Sequence, residues 1–287
     1  MEYENPQVPD EVNLPQSHPL VDFSWMLLAV AGASAAAILL LALLTDYLVR
    51  YVPFELEERL VTSFDVLEEG SLGNGHTPSE SNQAADQEIQ TYLQSLADTL
   101  MEQNPLPDGM SVTVHYRNES VVNAFATLGG HVIIHQGLLD KLQSENALSM
   151  VMAHEIEHIR ARHPIRAAGR SIIITLAFMS MTGFSDSAAL ESLVGAIGLV
   201  STLSFSRDHE LKADEAALKI LQVHYGHVEG ADQLFEMLAD ESESEDFIAF
   251  LSTHPLHDDR INAVKRLRSS DGVAVLVPLP VYLSNQR

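Results

Sequence analysis

The chain has 287 residues and carries 40 acidic side chains against 16 Lys and Arg, a formal net charge of −24. Its length suits one sizeable domain with appendages, and the acidic balance argues against nucleic acid, which requires a clustered basic surface that the sequence does not offer. The lack of Cys excludes disulfides, thiol catalysis and Cys-ligated zinc, so any metal must be held by His and carboxylates.

The first distinct element is Trp25–Thr45, an uncharged apolar segment that follows an acidic N-terminal tail, residues 1–24, without Lys or Arg. About 20 such residues cross a ~30 Å hydrocarbon core, whereas a signal peptide has a shorter apolar region behind a basic one. We therefore expect a single-pass anchor in a lipid bilayer, with a buried core helix as the alternative. Arg50 and Arg59 favour a cytoplasmic location for the bulk of the chain, but two arginines leave the periplasmic or extracytoplasmic side open.

Residues 46–85 read as a juxtamembrane segment and linker, because their second half is rich in Gly, Ser, Asn and Pro. Apolar residues at helical spacing from Ile89 to Leu100 then predict an amphipathic helix. Alternating β-branched residues predict three strands that form a small β-meander. These strands are Val112–Tyr116, Val121–Ala126 and His131–His135.

The pattern turns helical from Leu138 onward, and the last predicted helix is Asp258–Arg268. Ser144–His163 has a capping Ser at its start, basic residues at its end and Pro164 beyond, as expected for one helix. The apolar region Ile172–Phe205 predicts either two buried or membrane-apposed helices or a transmembrane hairpin. Gly272–Leu283 is apolar but contains two prolines, which indicates an extended packing segment.

The predicted helix Ser144–His163 contains the pattern His154-Glu155-Ile-Glu-His158. Side chains four residues apart share a helix face, so the two imidazoles can bind one metal ion. Zinc suits this pair, and Glu155 could act as general base toward a water at an open fourth position. The pattern alone is weak, because HExxH also arises by chance.

A third ligand should come from a second rigid element, and Glu210 is the best candidate. It lies one helical turn before Asp214, which could hydrogen-bond a ligand imidazole, such as that of His154. A solvated acidic face paired with Lys212 or Arg207 is the alternative. Rival ligands are His209, His224 and His227.

Several ordered motifs together resemble metallopeptidase family 48, the zinc peptidases that include HtpX, CAAX prenyl protease 1 and the mitochondrial Oma-type enzymes. The resemblance covers about residues 86–268 and leaves 269–287 as a C-terminal tail. Besides HExxH, the matching segments are Asn123–Ala126, Gly129–Gly130, Gly137–Leu139, Ser206–Arg207 with Glu210 and Ala213–Asp214, Ser252–Pro255, and Arg260–Ile261.

The resemblance implies a mainly helical α+β, zincin-like (gluzincin) domain behind one transmembrane helix. It also implies that His154, His158 and Glu210 bind a single Zn²⁺, with Glu155 as catalytic base and Asp214 behind a ligand. The late-motif residues His254 and Arg260 are candidates for stabilising an oxyanion, with a structural loop anchor as the alternative.

Substrate binding is expected at one edge of the predicted sheet. The strand with Asn123 and Ala124, or its neighbour His131–His135, could pair with an extended polypeptide, unless it is internal.

The leading hypothesis is a membrane-anchored zinc metalloendopeptidase that acts in protein quality control on unfolded or membrane-associated proteins. A catalytically idle membrane adaptor or holdase that keeps the fold is the main alternative, and the intact Glu155 weighs against it. Prenylated-protein processing is a third possibility, but those relatives have many membrane spans and this sequence has one clear span.

Overall fold

The computed structural model describes residues 19–63, 80–182, 205–240, 248–255, 259–262 and 275–283. These residues form a mainly helical α+β domain with one small sheet, preceded by one long apolar helix, and this confirms the predicted fold class. The predictions for residues 1–18, for the linker residues 64–79 and for most of Asp258–Arg268 lie outside the described residues.

The apolar helix α1 spans Pro19–Leu48 and is followed by a single 3-10 turn, Val49–Tyr51. Its large apolar side chains are exposed, as in Leu28 and Leu40, and an 18-residue window within Pro19–Tyr51 reaches a mean hydropathy of 2.6. Among the described residues, α1 is the one helix that is both long enough and apolar enough to cross a membrane. Helix α2, Phe54–Ser63, follows and packs against the turn Leu128–Gly130.

Three strands form the sheet, as predicted, but they do not form a meander. β1 (Thr113–Arg117) lies parallel to β3 (His131–His135), and β2 (Ala124–Ala126) pairs antiparallel with β3 on its other side. The order is therefore β1-β3-β2. After β1 the chain passes through a buried segment around Val122 and places β2 on the other side of β3. β1 and β2 are therefore not paired, although they are consecutive in the sequence.

Helix α5, Glu145–Arg160, lies at the centre of the domain and is buried along nearly its whole length. It packs mainly against α7, Arg207–Tyr225, and it also contacts α3, Glu80–Gln103, and β2. The hydroxyl of Ser144 caps its start by accepting a hydrogen bond from Ala147 N at 3.2 Å. The helix stops before the predicted end because Arg162 has a left-handed backbone, φ 58°, which starts a new helix at His163.

The other helices complete the layer around α5. α3 confirms the amphipathic helix predicted around Ile89–Leu100, and α7 ends at Gly226, whose φ of 77° suits a left-handed cap. The remaining helical bounds are α3 Glu80–Gln103, α4 Gln136–Lys141, α6 His163–Thr182, α7 Arg207–Tyr225, α8 Asp232–Asp240 and α9 Ile248–Thr253.

Two apolar segments remain to be placed. The first part of Ile172–Phe205 continues α6 to Thr182, but residues 183–204 lie outside the described residues, so the hairpin alternatives stay open. The segment 275–280 has no regular structure and runs beside the start of α5, where Glu145 N donates to Val277 O at 2.8 Å. Its prolines suit this extended path.

Candidate metal centre

Two helices that cross in the core bring together the residues predicted as metal ligands. His154 and His158 lie one turn apart on α5, and Glu210 lies in the first turn of α7. The Nε2 atoms of His154 and His158 are 2.9 Å apart, and each lies 3.4 Å from an oxygen of the Glu210 carboxylate. All three side chains are buried, so this cluster is a core feature rather than a solvated acidic face.

His254, at the end of α9, adds a fourth donor that the sequence reasoning did not count as a ligand. Its Nδ1 lies 3.3 Å from Glu210 Oε2 and 3.3 Å from His154 Nε2. One donor atom from each of the four residues lies within 4.8 Å of the others. The resemblance had pointed to His254 as a cleft residue, but only the fold shows that it meets the same point as the other three.

The donor set suits a metal ion. Two imidazoles and a carboxylate around one point are a zinc-type set, and burying them without a charge partner is costly. Glu210 Oε1 and His254 Nε2 are buried and make no hydrogen bond. Burial alone would lower the pKa of His154, but hydrogen bonds with Asp214 and Glu210 raise it to about 10. His154 thus holds a proton that metal binding would release.

Asp214 lies behind His154, where the sequence placed it. Its Oδ1 accepts a hydrogen bond from His154 Nδ1 at 2.9 Å, which leaves Nε2 facing the other donors. Arg260 binds the same carboxylate through two nitrogens, at 2.6 and 2.9 Å. Burial opposes ionisation of Asp214, but the Arg260 guanidinium outweighs it and lowers the pKa of the carboxyl.

Arg260 is almost completely buried and pairs with two carboxylates of the cluster. Besides Asp214, it reaches Glu210 Oε2 at 2.9 Å and the carbonyl of Pro255 at 3.2 Å. Its donors are therefore committed to carboxylates and to the loop that carries His254. This arrangement favours the loop-anchor alternative over oxyanion stabilisation.

Glu155 is buried beside the cluster with one oxygen held and one unpaired. Its Oε2 accepts a hydrogen bond from Ala126 N at 2.7 Å, and its Oε1 makes no hydrogen bond but lies 3.3 Å from His254 Nε2. Burial raises the pKa of this carboxyl above its ordinary range. Oε1 is therefore the oxygen available to take up a proton.

His163 is a further partner that sequence reasoning missed. Its Nδ1 lies 2.8 Å from His158 Nδ1, on the side of the His158 ring that faces away from the cluster. Burial, with repulsion from His209 and Arg166, lowers the pKa of His163 to about 3, so the ring is neutral and can accept a hydrogen bond. The only signal in the sequence is that a His follows His158 by five residues. This spacing alone does not predict a contact, because the two rings meet only through the turn at Arg162.

The rival ligands lie away from the cluster. His209 stacks on His163 with ring centroids 3.9 Å apart, and His224 and His227 lie at the other end of α7. In the described part of the chain, the four-donor group is the one that could hold a metal ion.

Of the predicted substrate-binding residues, Ala124 begins the outer strand β2 and Asn123 directly precedes it. Ala126 N points away from β3 toward Glu155, and Asn123 Oδ1 is buried without a partner. The alternative strand, His131–His135, is wrong as an edge, because β3 pairs on both sides. Among the described residues β1 and β2 are the two outer strands; the side chains of Gln90 and Gln94 bond the outer edge of β1, whereas no strand pairs with the outer edge of β2.

The same region matches the model of Peptidase family M48 over residues 84–268. The chain belongs to this family. This confirms the resemblance drawn from the ordered motifs, and membership of a metallopeptidase family agrees with the donor cluster.

Among curated M48 relatives, the chain is similar to the putative beta-barrel assembly-enhancing protease of Vibrio cholerae, with 32% identity over 58% of this chain and 37% of that protein. It is also similar to the beta-barrel assembly-enhancing protease of Escherichia coli, with 31% identity over 59% of this chain and 37% of that protein. Mitochondrial metalloendopeptidase OMA1 of Schizosaccharomyces pombe shows 30% identity over 53% and 45%. The matched region thus spans less than half the length of these relatives.

Proposed function

We propose that this protein is a membrane-anchored zinc metalloendopeptidase. The observation that carries the proposal is the convergence of His154, His158 and Glu210 in the core, with Glu155 beside them. Family membership and the relatives' names, which include protease and metalloendopeptidase, support it. The exposed apolar helix α1 supports attachment to a lipid bilayer.

His154, His158 and Glu210 would hold the Zn²⁺ ion through Nε2, Nε2 and the carboxylate. A bound Zn²⁺ supplies Lewis acidity, which polarises a peptide carbonyl and makes water more acidic. Asp214 and His163 fix the two imidazoles from behind, so that both Nε2 lone pairs face the same point. Arg260 balances the charge of Asp214 and holds the carboxylates in place.

Glu155 acts as the general base and then as the general acid. Ala126 N–H orients its carboxylate, and Oε1 takes a proton from the attacking water and passes it to the nitrogen of the leaving amine. The free edge of β2 lies next to this carboxylate, which suits an extended polypeptide chain as substrate. Unfolded or membrane-associated proteins, in quality control, fit this recognition because they expose backbone.

His254 closes the site in this conformation. A catalytic zinc site keeps one position open, whereas four protein donors make a closed site. His254 also lies 3.3 Å from Glu155 Oε1, where water or a peptide carbonyl would have to enter. Peptide hydrolysis therefore requires the end of α9 to move.

Glu155→Gln tests the mechanism. The variant should keep its zinc and lose cleavage of an unfolded polypeptide by about 10²–10⁴-fold, the usual contribution of a general base. Glu157→Gln, which removes a carboxylate from the same helix without touching the donors, is the matched control. Unchanged cleavage by Glu155→Gln would refute the mechanism, and suppression of aggregation without fragments by the native chain would favour the holdase.

Membrane attachment is tested separately. Single Cys residues placed on either side of α1 can be labelled in intact and opened cells, because the chain has no native thiol. Release of the full chain by alkaline extraction of membranes would contradict the anchor.

A further inference from the structure

A cavity of about 500 Å³ lies between the segment that follows α1 and the turn that follows α5. Its volume is within the range of ~300–1,000 Å³ typical of small-ligand sites. Two carboxylates, Glu55 and Asp108, line it, and so do four arginines. The arginines are Arg50, Arg160, Arg162 and Arg166. The whole chain has only 16 Lys and Arg and a net charge of −24. The fold nevertheless brings four of these basic residues together around one cavity.

Two of these arginines build the walls of the cavity. Arg162 binds Glu57 through Nε at 2.8 Å and donates to the carbonyl of Val49, which ties the segment after α1 to the turn after α5. Arg160 donates to the carbonyl of Pro105 and pairs with Glu157. Their charges are therefore already balanced by protein groups.

The other two arginines make no ion pair with a carboxylate of the described residues, although Glu55 and Asp108 line the same cavity. Arg50 stacks over the Tyr47 ring at 4.2 Å and donates to the Tyr47 carbonyl, and within the described ranges no carboxylate pairs with it. The Nε atom of Arg166 is buried with no hydrogen-bond partner. Arg166 lines the cavity, so a phosphate that enters it would lie beside this guanidinium.

The cavity lies at the depth of the lipid headgroups if α1 spans the bilayer. Thr45 ends the apolar segment and Arg50 follows it by five residues, or about 7–8 Å at the helical rise. The headgroup layer of one leaflet is about 5–8 Å thick.

Helix α6 brings Arg166 to the same level. A Cβ on Gly169 would come within 2.5 Å of Thr45 Cγ2, and Arg170 pairs with Asp46 at 3.1 Å. Gly169 lies beside Thr45, whereas Arg162, which precedes Gly169, contacts Val49, which follows Thr45. The start of α6 and the end of α1 therefore run antiparallel. Arg166, one turn before Arg170, therefore lies level with Arg50.

We propose that this cavity binds the phosphate headgroup of an anionic phospholipid. A guanidinium fork matches two phosphate oxygens, and basic pockets beside membrane helices suit anionic headgroups. A bound headgroup would accept from Arg166 and neutralise Arg50 where the anchor meets the catalytic domain. The proposal rests on the membrane insertion of α1 and does not depend on proteolysis.

Native mass spectrometry of the full chain in neutral detergent tests the proposal. Phosphatidylglycerol and phosphatidylcholine with the same acyl chains are titrated separately, and phosphatidylglycerol should bind more tightly. The double variant Arg50→Gln/Arg166→Gln should lose roughly 30-fold in phosphatidylglycerol affinity, since each arginine near a membrane surface contributes about five-fold. Its phosphatidylcholine affinity should not change.

The control removes two positive charges from the exposed face of α7, as Lys212→Gln/Lys219→Gln, and should bind both lipids like the parent. Arg166→Lys keeps the positive charge but loses the planar guanidinium fork, so it should weaken phosphatidylglycerol binding less than the double variant does. It also provides a test if circular dichroism shows that the double variant does not fold. Equal affinity for the two lipids, or the same loss in the lysine control, would overturn the proposal. Full displacement by millimolar inorganic phosphate would also overturn it, because the ligand would then be a soluble phosphate.

Discussion

Replacing His163 by Phe should weaken zinc binding while leaving the domain folded. In the native chain His163 Nδ1 accepts from His158 Nδ1 at 2.8 Å, and both side chains are buried. The Phe variant keeps a ring to stack on His209 but leaves the His158 N–H without an acceptor. A lost hydrogen bond and a buried unpaired donor together cost about 1.5–3 kcal/mol, so the zinc dissociation constant should rise about 10–100-fold.

Competition with a chromophoric chelator measures that constant, and the visible spectrum of the Co²⁺-loaded protein reports the ligand geometry directly. His163→Asn is the rescue variant, because its amide oxygen can take the place of Nδ1 and should restore most of the affinity. His209→Phe is the matched control, since His209 touches His163 but not the donors. Native affinity in His163→Phe, or an equal loss in His209→Phe, would refute the reasoning.

Three further predictions concern the same domain. Asp214→Asn should lower zinc affinity about 10–100-fold and also destabilise the metal-free protein by about 3 kcal/mol, because Arg260 loses one of its two buried carboxylate partners. Chelator competition and urea unfolding measure the two effects. His254→Ala should keep zinc bound by three ligands and raise the cleavage rate of an unfolded substrate; a slower rate would show that His254 assists the reaction. Burial and His131 lower the pKa of His115 to about 4, so its neutral form stabilises the fold above pH ~6.5 and this contribution is lost as the pH falls toward 4. In chelator, the unfolding midpoint of His115→Gln should therefore fall less between pH 7 and 4.5 than that of the parent.

The helix that carries His154 and His158 was predictable because its signals are local. The Ser144 cap, the apolar face and the spacing of the two histidines lie within one continuous segment, and the structure forms the helix there. Glu210 and Asp214 are likewise one turn apart, so their relation to each other was readable. Their meeting with His154, which lies 56 residues before Glu210 and 60 before Asp214, followed from the need for a third ligand and from the ordered motifs of the family, because periodicity relates only residues within one helix.

The sheet order was not predictable from the strands themselves. The pattern of each strand is local, but whether β1 pairs with β2 or β3 depends on how the intervening chain packs into the core. The same limit explains His163 and the arginine cavity. Arg50 and Arg166 lie far apart in the sequence, and only the packing of α1 against α6 places them at one level.

The sequence by itself therefore determined the long apolar helix, the HExxH helix, the donor types and the family, because each depends on composition, short spacing or ordered motifs. The tertiary structure decided which groups share a site: His254 as a fourth donor, His163 behind His158, Arg260 tied to Asp214, and arginines gathered at the base of α1. The physical reason is that buried polar groups must find partners, and most partners in this domain come from distant parts of the chain.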